Sequence, residues 1–132
     1  VYKNVDDMTD EELCYYLAKA QEYEIVDNMN PLHIVDDSIM EQYGYSTWTI
    51  YNPSKYAEQF CTLLDKYKPY ISYTTDSVCV EVMSGHHINL YDTKLNYATF
   101  KDYDNNVKKA LCKAIVALHY GYEFDLEELR DE

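Results

Sequence analysis

One segment near the end of the chain restricts the fold more than any other. Val107, Ala110, Leu111, Ala114, Ile115 and Leu118 fall at i, i+3, i+4, i+7, i+8 and i+11, the spacing of one helical face. Cys112, Val116 and Ala117 widen that face beyond a simple stripe. Asp104 or Asn105 is placed to cap the helix, and Gly121 to end it. A helix this apolar is expected to be the most buried element, lying across a sheet.

The strands for that sheet are expected just upstream. Tyr70 to Thr74 and Val78 to Met83 are rich in β-branched and aromatic residues, with a turn at Thr75-Asp76-Ser77. Val78, Val80 and Val82 alternate with Cys79, Glu81 and Met83, as in a strand with one well-packed face. Ser84-Gly85 marks the next turn. A third strand is expected between His87 and Phe100, including Tyr97 to Phe100.

Two further helices precede the strands. Thr9-Asp10-Glu11-Glu12 has the form of a capping box, and Leu13, Tyr16, Leu17 and Ala20 follow as a buried stripe, with the helix running to about Tyr23. Asn52-Pro53-Ser54 predicts a second start, with Asn52 as the cap and Pro53 in the first turn. Tyr56, Phe60, Leu63, Leu64 and Tyr67 make its apolar face, and Pro69 ends it. Between these helices, Ile25 to Tyr51 lacks sustained periodicity of either kind and reads as a long connection with short elements and a turn at Asn30-Pro31. The order predicts a single α+β domain over 1–132, with a small antiparallel sheet of about three strands packed between helices.

Charge bounds the partners. The chain has 24 Asp plus Glu against 11 Lys plus Arg, a formal charge of −13 on 132 residues. Residues 1–30 and 123–132 hold most of the excess, while 67–101 is balanced. Such a field repels nucleic acid and anionic membranes and attracts a basic protein; the plainer reading is that it keeps a tyrosine-rich domain soluble. The longest apolar stretch, near Ala110 to Leu118, is interrupted by Lys113, so neither a membrane span nor a signal peptide is expected, and a cytoplasmic location is. Val1 in place of Met is expected of a trimmed start or a removed tag.

Chemistry-bearing patterns are weak. Cys14, Cys61, Cys79 and Cys112 form no C-x-x-C pair and are expected to be free cysteines packed as small hydrophobes in a reducing cytosol. His86-His87 with Asp92 is the best metal-like cluster, but adjacent strand residues point to opposite faces. No phosphate-cradling glycine loop and no nucleophile elbow is present. The carboxylate pairs Asp6-Asp7, Asp36-Asp37 and Glu127-Glu128 sit in polar context, unsuited to a raised pKa. No catalytic residue, metal or cofactor is expected.

Met8-Thr9-Asp10-Glu11-Glu12-Leu13, then Tyr51-Asn52-Pro53-Ser54, then a short β-region, then Lys109-Ala110-Leu111-Cys112-Lys113-Ala114 resembles small bacteriophage proteins of the NinX-like and phage ABA-sandwich type, over residues 8 to 121. The resemblance implies a phage or prophage product in bacterial cytosol with a sheet between helices. It carries over no catalytic residues. The long Ile25 to Tyr51 segment and the acidic tail from Glu123 to Glu132 depart from the pattern.

Sixteen tyrosines are the second anomaly of composition. Tyr43, Tyr45, Trp48 and Tyr51 lie in the long connection beside Asp36, Asp37 and Glu41, and aromatic rings with a polar handle suit protein interfaces; an AT-rich genome would also favour tyrosine codons. The leading expectation is therefore an acidic binding protein that inhibits a host defence or nucleic-acid-processing protein, of anti-CRISPR or anti-restriction type. A basic bacterial protein or nucleoprotein complex is its expected partner. As a DNA mimic it needs carboxylates in a row, which Asp6, Asp7, Asp10, Glu11, Glu22, Glu24 and Asp27 form with Glu123, Asp125, Glu127, Glu128, Asp131 and Glu132 if the termini meet. The alternative is a small-molecule binder that sequesters a defence-signalling nucleotide by aromatic stacking and Lys108, Lys109 and Lys113; a subunit-type interaction protein and an enzyme rank lower.

Overall fold

A computed structural model describes residues 1–85 and 93–126. The expected pair His86-His87 with Asp92, and the tail residues Glu127, Glu128, Asp131 and Glu132, lie outside the described residues.

The C-terminal helix α4 (Val107–Tyr120) organises the rest. Nine of its residues, from Ala110 to His119, are buried. One side packs on a three-stranded antiparallel sheet of β4 (Tyr70–Tyr73), β5 (Val78–Met83) and β6 (Tyr97–Asp102), ordered β4-β5-β6. The other side packs on helix α1 (Asp10–Ala20). Val78, Val80, Val82 and Ala98 point from the sheet into α4 and are fully enclosed. The α+β class with its three-stranded antiparallel sheet is as the sequence predicts, and α4 is the middle layer of the sandwich. Asn106, one residue past the expected caps, starts α4 by accepting a bond from Lys109 N at 3.1 Å. Asn105 cannot do so because it turns the chain at φ 58°. Gly121 ends the helix as expected, at φ 94°.

α1 has the predicted capping box: Thr9 Oγ1 accepts from Glu12 N at 3.2 Å, and Glu12 Oε1 accepts from Thr9 N at 3.0 Å. It stops at Ala20, three residues short of the expected end. There Tyr23 N bonds Ala18 O and Glu22 N bonds Lys19 O, a Schellman closure. Its left-handed position is occupied by Glu22 at φ 61° rather than by glycine. The predicted stripe Leu13, Tyr16, Leu17 and Ala20 is buried.

The termini meet. Strands β1 (Tyr2–Asn4) and β7 (Glu123–Asp125) pair antiparallel, flanking a 3-10 turn at Val5–Asp7. Tyr16 fastens this pair to α1: its hydroxyl donates to Leu126 O at 3.0 Å, and its ring meets Phe124 and Tyr120 edge-on.

Helix α3 (Ala57–Tyr67) starts four residues later than Asn52-Pro53 predicts. Asn52 Oδ1 accepts from Ser54, closing a separate turn. Tyr56 then goes extended at φ −98°, ψ 119° and is exposed rather than part of the apolar face. The connection Ile25 to Tyr51 holds short elements, as expected, but they make a hairpin: β2 (His33–Asp36) pairs antiparallel with β3 (Thr47–Ile50), joined through a helical turn α2 (Met40–Tyr43). The Asn30–Pro31 bond before it is cis. Among the cysteines, all free, Cys14 and Cys112 are buried as predicted, whereas Cys61 is exposed on the solvent side of α3 and Cys79 is half-buried. Burial pushes the Cys14 thiol up to about 12 and that of Cys112 higher still, so neither is a nucleophile at neutral pH.

Two predictions follow from the ends of α1. Replacing Glu22 by Gly relieves the left-handed strain and is expected to raise unfolding stability by about 0.5–1 kcal/mol, while Glu22→Ala, which keeps a Cβ, gives no such gain in urea titrations. Glu12, whose carboxylate also accepts from Lys3 Nζ at 2.6 Å, titrates below the ordinary carboxylate range. Partial burial acts to raise it, and the bonds from Lys3 and Thr9 more than offset that. Its folded pKa is depressed, so its stabilisation is complete above pH ~4.5 and is lost as pH falls through the lower folded value. Glu12→Gln is expected to cost about 1 kcal/mol at pH 7 and to converge on the parent at acid pH.

Candidate functional site

The hairpin carries the densest group of exposed aromatic and acidic side chains. Cross-strand pairing places Ile34, Asp36, Thr47 and Thr49 on one face and His33, Val35, Trp48 and Ile50 on the other. Trp48 is 59% exposed, directly across from Val35. Tyr43 and Tyr45, on either side of Gly44, are also exposed, with ring centroids 6.1 Å apart. Gly44 sits at φ 78° and ends α2, which is what turns the two rings to the same end of the hairpin. Glu41 is exposed on α2, and Asp37 on the turn that enters it.

Asp36 has a structural duty. Its Oδ1 accepts from Ser38 N at 2.9 Å and its Oδ2 from Thr49 Oγ1 at 3.2 Å, which locks the start of the connection to β3. The Ser38 amide bond holds the Asp36 carboxyl below the usual range, so it is ionised throughout the neutral region.

Tyr51 belongs elsewhere. It is buried, edge-on to Tyr23, and its hydroxyl accepts a bond from Gln21 Nε2. Burial raises the Tyr51 hydroxyl pKa well beyond its ordinary value, so it stays protonated. Sequence spacing placed Tyr51 with the exposed aromatics, but Tyr51 N bonds Leu32 O and draws the ring inward.

Between the hairpin and α3 lies a cleft of about 510 Å³. Tyr23, Tyr51 and Gln21 lie toward its interior; Asp36, Asp37 and Glu58 supply three carboxylates. Gln21 is 5% exposed, and its Nε2 is committed to Leu17 O and the Tyr51 hydroxyl. Its Oε1 is buried and has no hydrogen-bond partner among the described residues. A cleft with three carboxylates and two aromatic rings suits a cationic group such as a Lys or Arg side chain. Gln21 and Glu58 were not among the residues singled out in the sequence. Nothing in their local spacing marks them, because α1 and α3 meet the hairpin only in the tertiary fold.

The remaining acids fall into two groups. Glu22, Glu24 and Asp27 are exposed on the segment that runs beside β2, where Val35 N bonds Glu24 O and Val26 N bonds His33 O. Asp6, Asp7, Asp10, Glu11, Glu123 and Asp125 gather where β1 meets β7, at the other end of α1. Eleven residues of helix set the two groups about 16 Å apart. Several of the terminal acids are engaged internally: Asp6 with Lys113 at 2.8 Å, Asp10 with Lys109 at 3.9 Å, and Asp125 with the Val1 amino group at 2.7 Å. Asp7, Glu11, Glu22, Glu24, Asp27, Asp37, Glu41 and Glu123 have no ion pair among the described residues.

A second cavity of about 640 Å³ is lined by Asp10, Glu11 and Glu12 on one side and Met29 to Leu32 on the other. It too is acidic. The cations named for nucleotide binding are occupied, Lys109 and Lys113 by aspartates and Lys108 over the Phe60 ring at 5.9 Å. Among the described residues, no group of His, Cys, Asp and Glu is arranged to hold a metal ion, and no helix is long and apolar enough to cross a membrane.

The fold and this site define a small acidic α+β protein whose hairpin exposes aromatic rings and borders a carboxylate-lined cleft. Scanned against protein-family models the chain finds no match, and a search of curated proteins likewise finds none.

Trp48 is the only tryptophan, which makes the hairpin directly observable. Its fluorescence is expected to show the emission of a water-exposed indole, with acrylamide quenching in the folded state close to that in urea. A blue-shifted and protected emission would contradict the exposed hairpin.

Proposed function

We propose that this chain is a phage-encoded acidic binding protein that engages a basic bacterial protein and inhibits its nucleic-acid processing. The observation that carries the reading is the cleft between hairpin and α3, where Asp36, Asp37 and Glu58 bring three carboxylates together on a hairpin that also exposes Trp48, Tyr43 and Tyr45 elsewhere on its surface. A Lys or Arg side chain from the partner fills the cleft, and Trp48, Tyr43 and Tyr45 supply apolar contact at the rest of the hairpin surface. Net charge steers the encounter, and the rings supply the residence time. The resemblance to small phage proteins supports a host-directed role, and the spared acids at both ends of α1 support competition with a nucleic acid for a basic groove.

The two acidic groups, separated along α1, fit a basic partner surface of about 16 Å or more. A continuous imitation of a phosphate backbone is not required by this reading; two anchors and an aromatic wedge suffice. Sequestration of a signalling nucleotide is less well supported, because both cavities bring carboxylates toward a ligand that is itself anionic.

The test is capture on the immobilised chain from a bacterial lysate, followed by elution with salt and, separately, with duplex DNA. The expected result is a basic nucleic-acid-binding protein released by both. Binding of the purified target is expected to weaken about 30-fold or more on Trp48→Ala, and to lose part of its salt dependence in D37N/E58Q. A target held equally at low and high salt, and indifferent to both variants, would sink the proposal.

A further inference from the structure

The two edges of the three-stranded sheet are treated differently. On β6 the outward N–H of Thr99 is taken by the Tyr122 hydroxyl at 3.0 Å, and the Tyr122 ring lies against Phe100. The middle of that edge is capped by a side chain. On β4 all four residues are exposed, with Tyr70 at 76% and Tyr73 at 65%.

The register of the sheet states which backbone groups of β4 are free. Thr74 N bonds Ser77 O, so residues 70, 72 and 74 direct their N–H and C=O groups toward β5. The bond from Ser84 N to Asn96 O gives the complementary result for β5, whose even-numbered residues bond β6 and whose odd-numbered ones bond β4. Ile71 and Tyr73 therefore turn their N–H and C=O groups outward, where no other backbone among the described residues meets them.

We infer that β4 pairs with β4 of a second copy of this chain, antiparallel about a two-fold axis at Ser72, to make one continuous sheet. Setting Ile71 opposite Tyr73 of the second copy joins the outward groups of both residues, twice by symmetry. The same register puts the Ile71 side chain against the second copy's Tyr73, on the helix side of the sheet, where α4 leaves both uncovered. The strand is uncharged and its symmetric register satisfies the outward groups of both copies, which argues for a second copy over a foreign strand. The edge also lies in the one long stretch of the chain without net charge, residues 67–101, so two strongly acidic molecules meet where their mutual repulsion is weakest.

Sedimentation equilibrium across the micromolar to millimolar range tests the inference, with thermal unfolding recorded for every variant. The parent chain is expected to dimerise. Tyr73→Pro removes only an outward N–H and is expected to leave a folded monomer. Ile71→Glu, which sets a carboxylate on each copy within the paired strands, is expected to weaken the dimer about tenfold. A parent chain that stays monomeric throughout would overturn the inference, including one that instead binds an extended foreign peptide at this edge. So would a dimer indifferent to Tyr73→Pro, or one that Ile71→Glu leaves as tight as the parent.

Discussion

The fold depends on burying α4 from both sides. A helix with this many apolar residues around its circumference gains little from a single neighbour, and it obtains cover from the sheet on one flank and from α1 on the other. Small residues make the arrangement feasible: Ala110, Cys112, Ala114 and Ala117 let neighbouring elements approach closely, while Leu111, Ile115 and Leu118 fill the space between. Lys113 is the one cation along the buried stretch. Its side chain is only 12% exposed, and its ammonium emerges beside Asp6, whose carboxylate and carbonyl oxygens both accept from it. An acid that looks like spare surface charge in the sequence is thus part of how the middle layer is accommodated.

That use of Asp6 illustrates how the charge is divided. Lysines of α4 and β1 neutralise Asp6, Asp10 and Glu12, so the terminal region is less acidic in effect than its composition suggests. The hairpin lobe has no such supply of cations. Its acids stay unpaired or, like Asp36, are held ionised by backbone and hydroxyl donors. A partner therefore meets the strongest uncompensated field at the lobe that also exposes Trp48, Tyr43 and Tyr45. Surface pairs at the termini contribute little to stability once screened, so their chief effect is to concentrate the acidic character elsewhere.

Elements governed by local rules were legible in the sequence. The capping box at Thr9, the periodicity of α4, its glycine stop and the alternation in β5 each involve residues within a few positions of one another. What could not be read depends on distant partners. β1 and β7 are three residues each and pair across more than a hundred residues of sequence, with Tyr16 bonded to Leu126 beside them. The β2–β3 hairpin has no two-residue turn signal, since a helical turn separates its strands. Asn52 misled because an Asx turn and a helix cap use the same side-chain acceptor; only the extended backbone of Tyr56 tells them apart. Of the site, the exposed aromatics and their acids were visible as a composition cluster, whereas Gln21 and Glu58 came from helices on either side of it.

Tyrosine meets three different fates here, and the difference bears on what the excess of this residue means. Tyr16, Tyr51 and Tyr67 are core residues whose hydroxyls find Leu126 O, Gln21 Nε2 and His119 Nε2. Tyr122 spends its hydroxyl on one outward N–H of a sheet edge. Exposed rings are spread over the surface, at Tyr2, Tyr56, Tyr97 and Tyr103 as well as in two pairs, Tyr43 with Tyr45 and Tyr70 with Tyr73. The two pairs differ from the rest in their setting: one ends the acidic hairpin, and the other flanks outward-facing backbone groups on a strand without charge. Large apolar rings at such positions lower the desolvation cost of bringing a second surface into contact. The acidic lobe and the neutral edge then serve compatible ends, since a contact made at the edge leaves the field of the lobe directed outward.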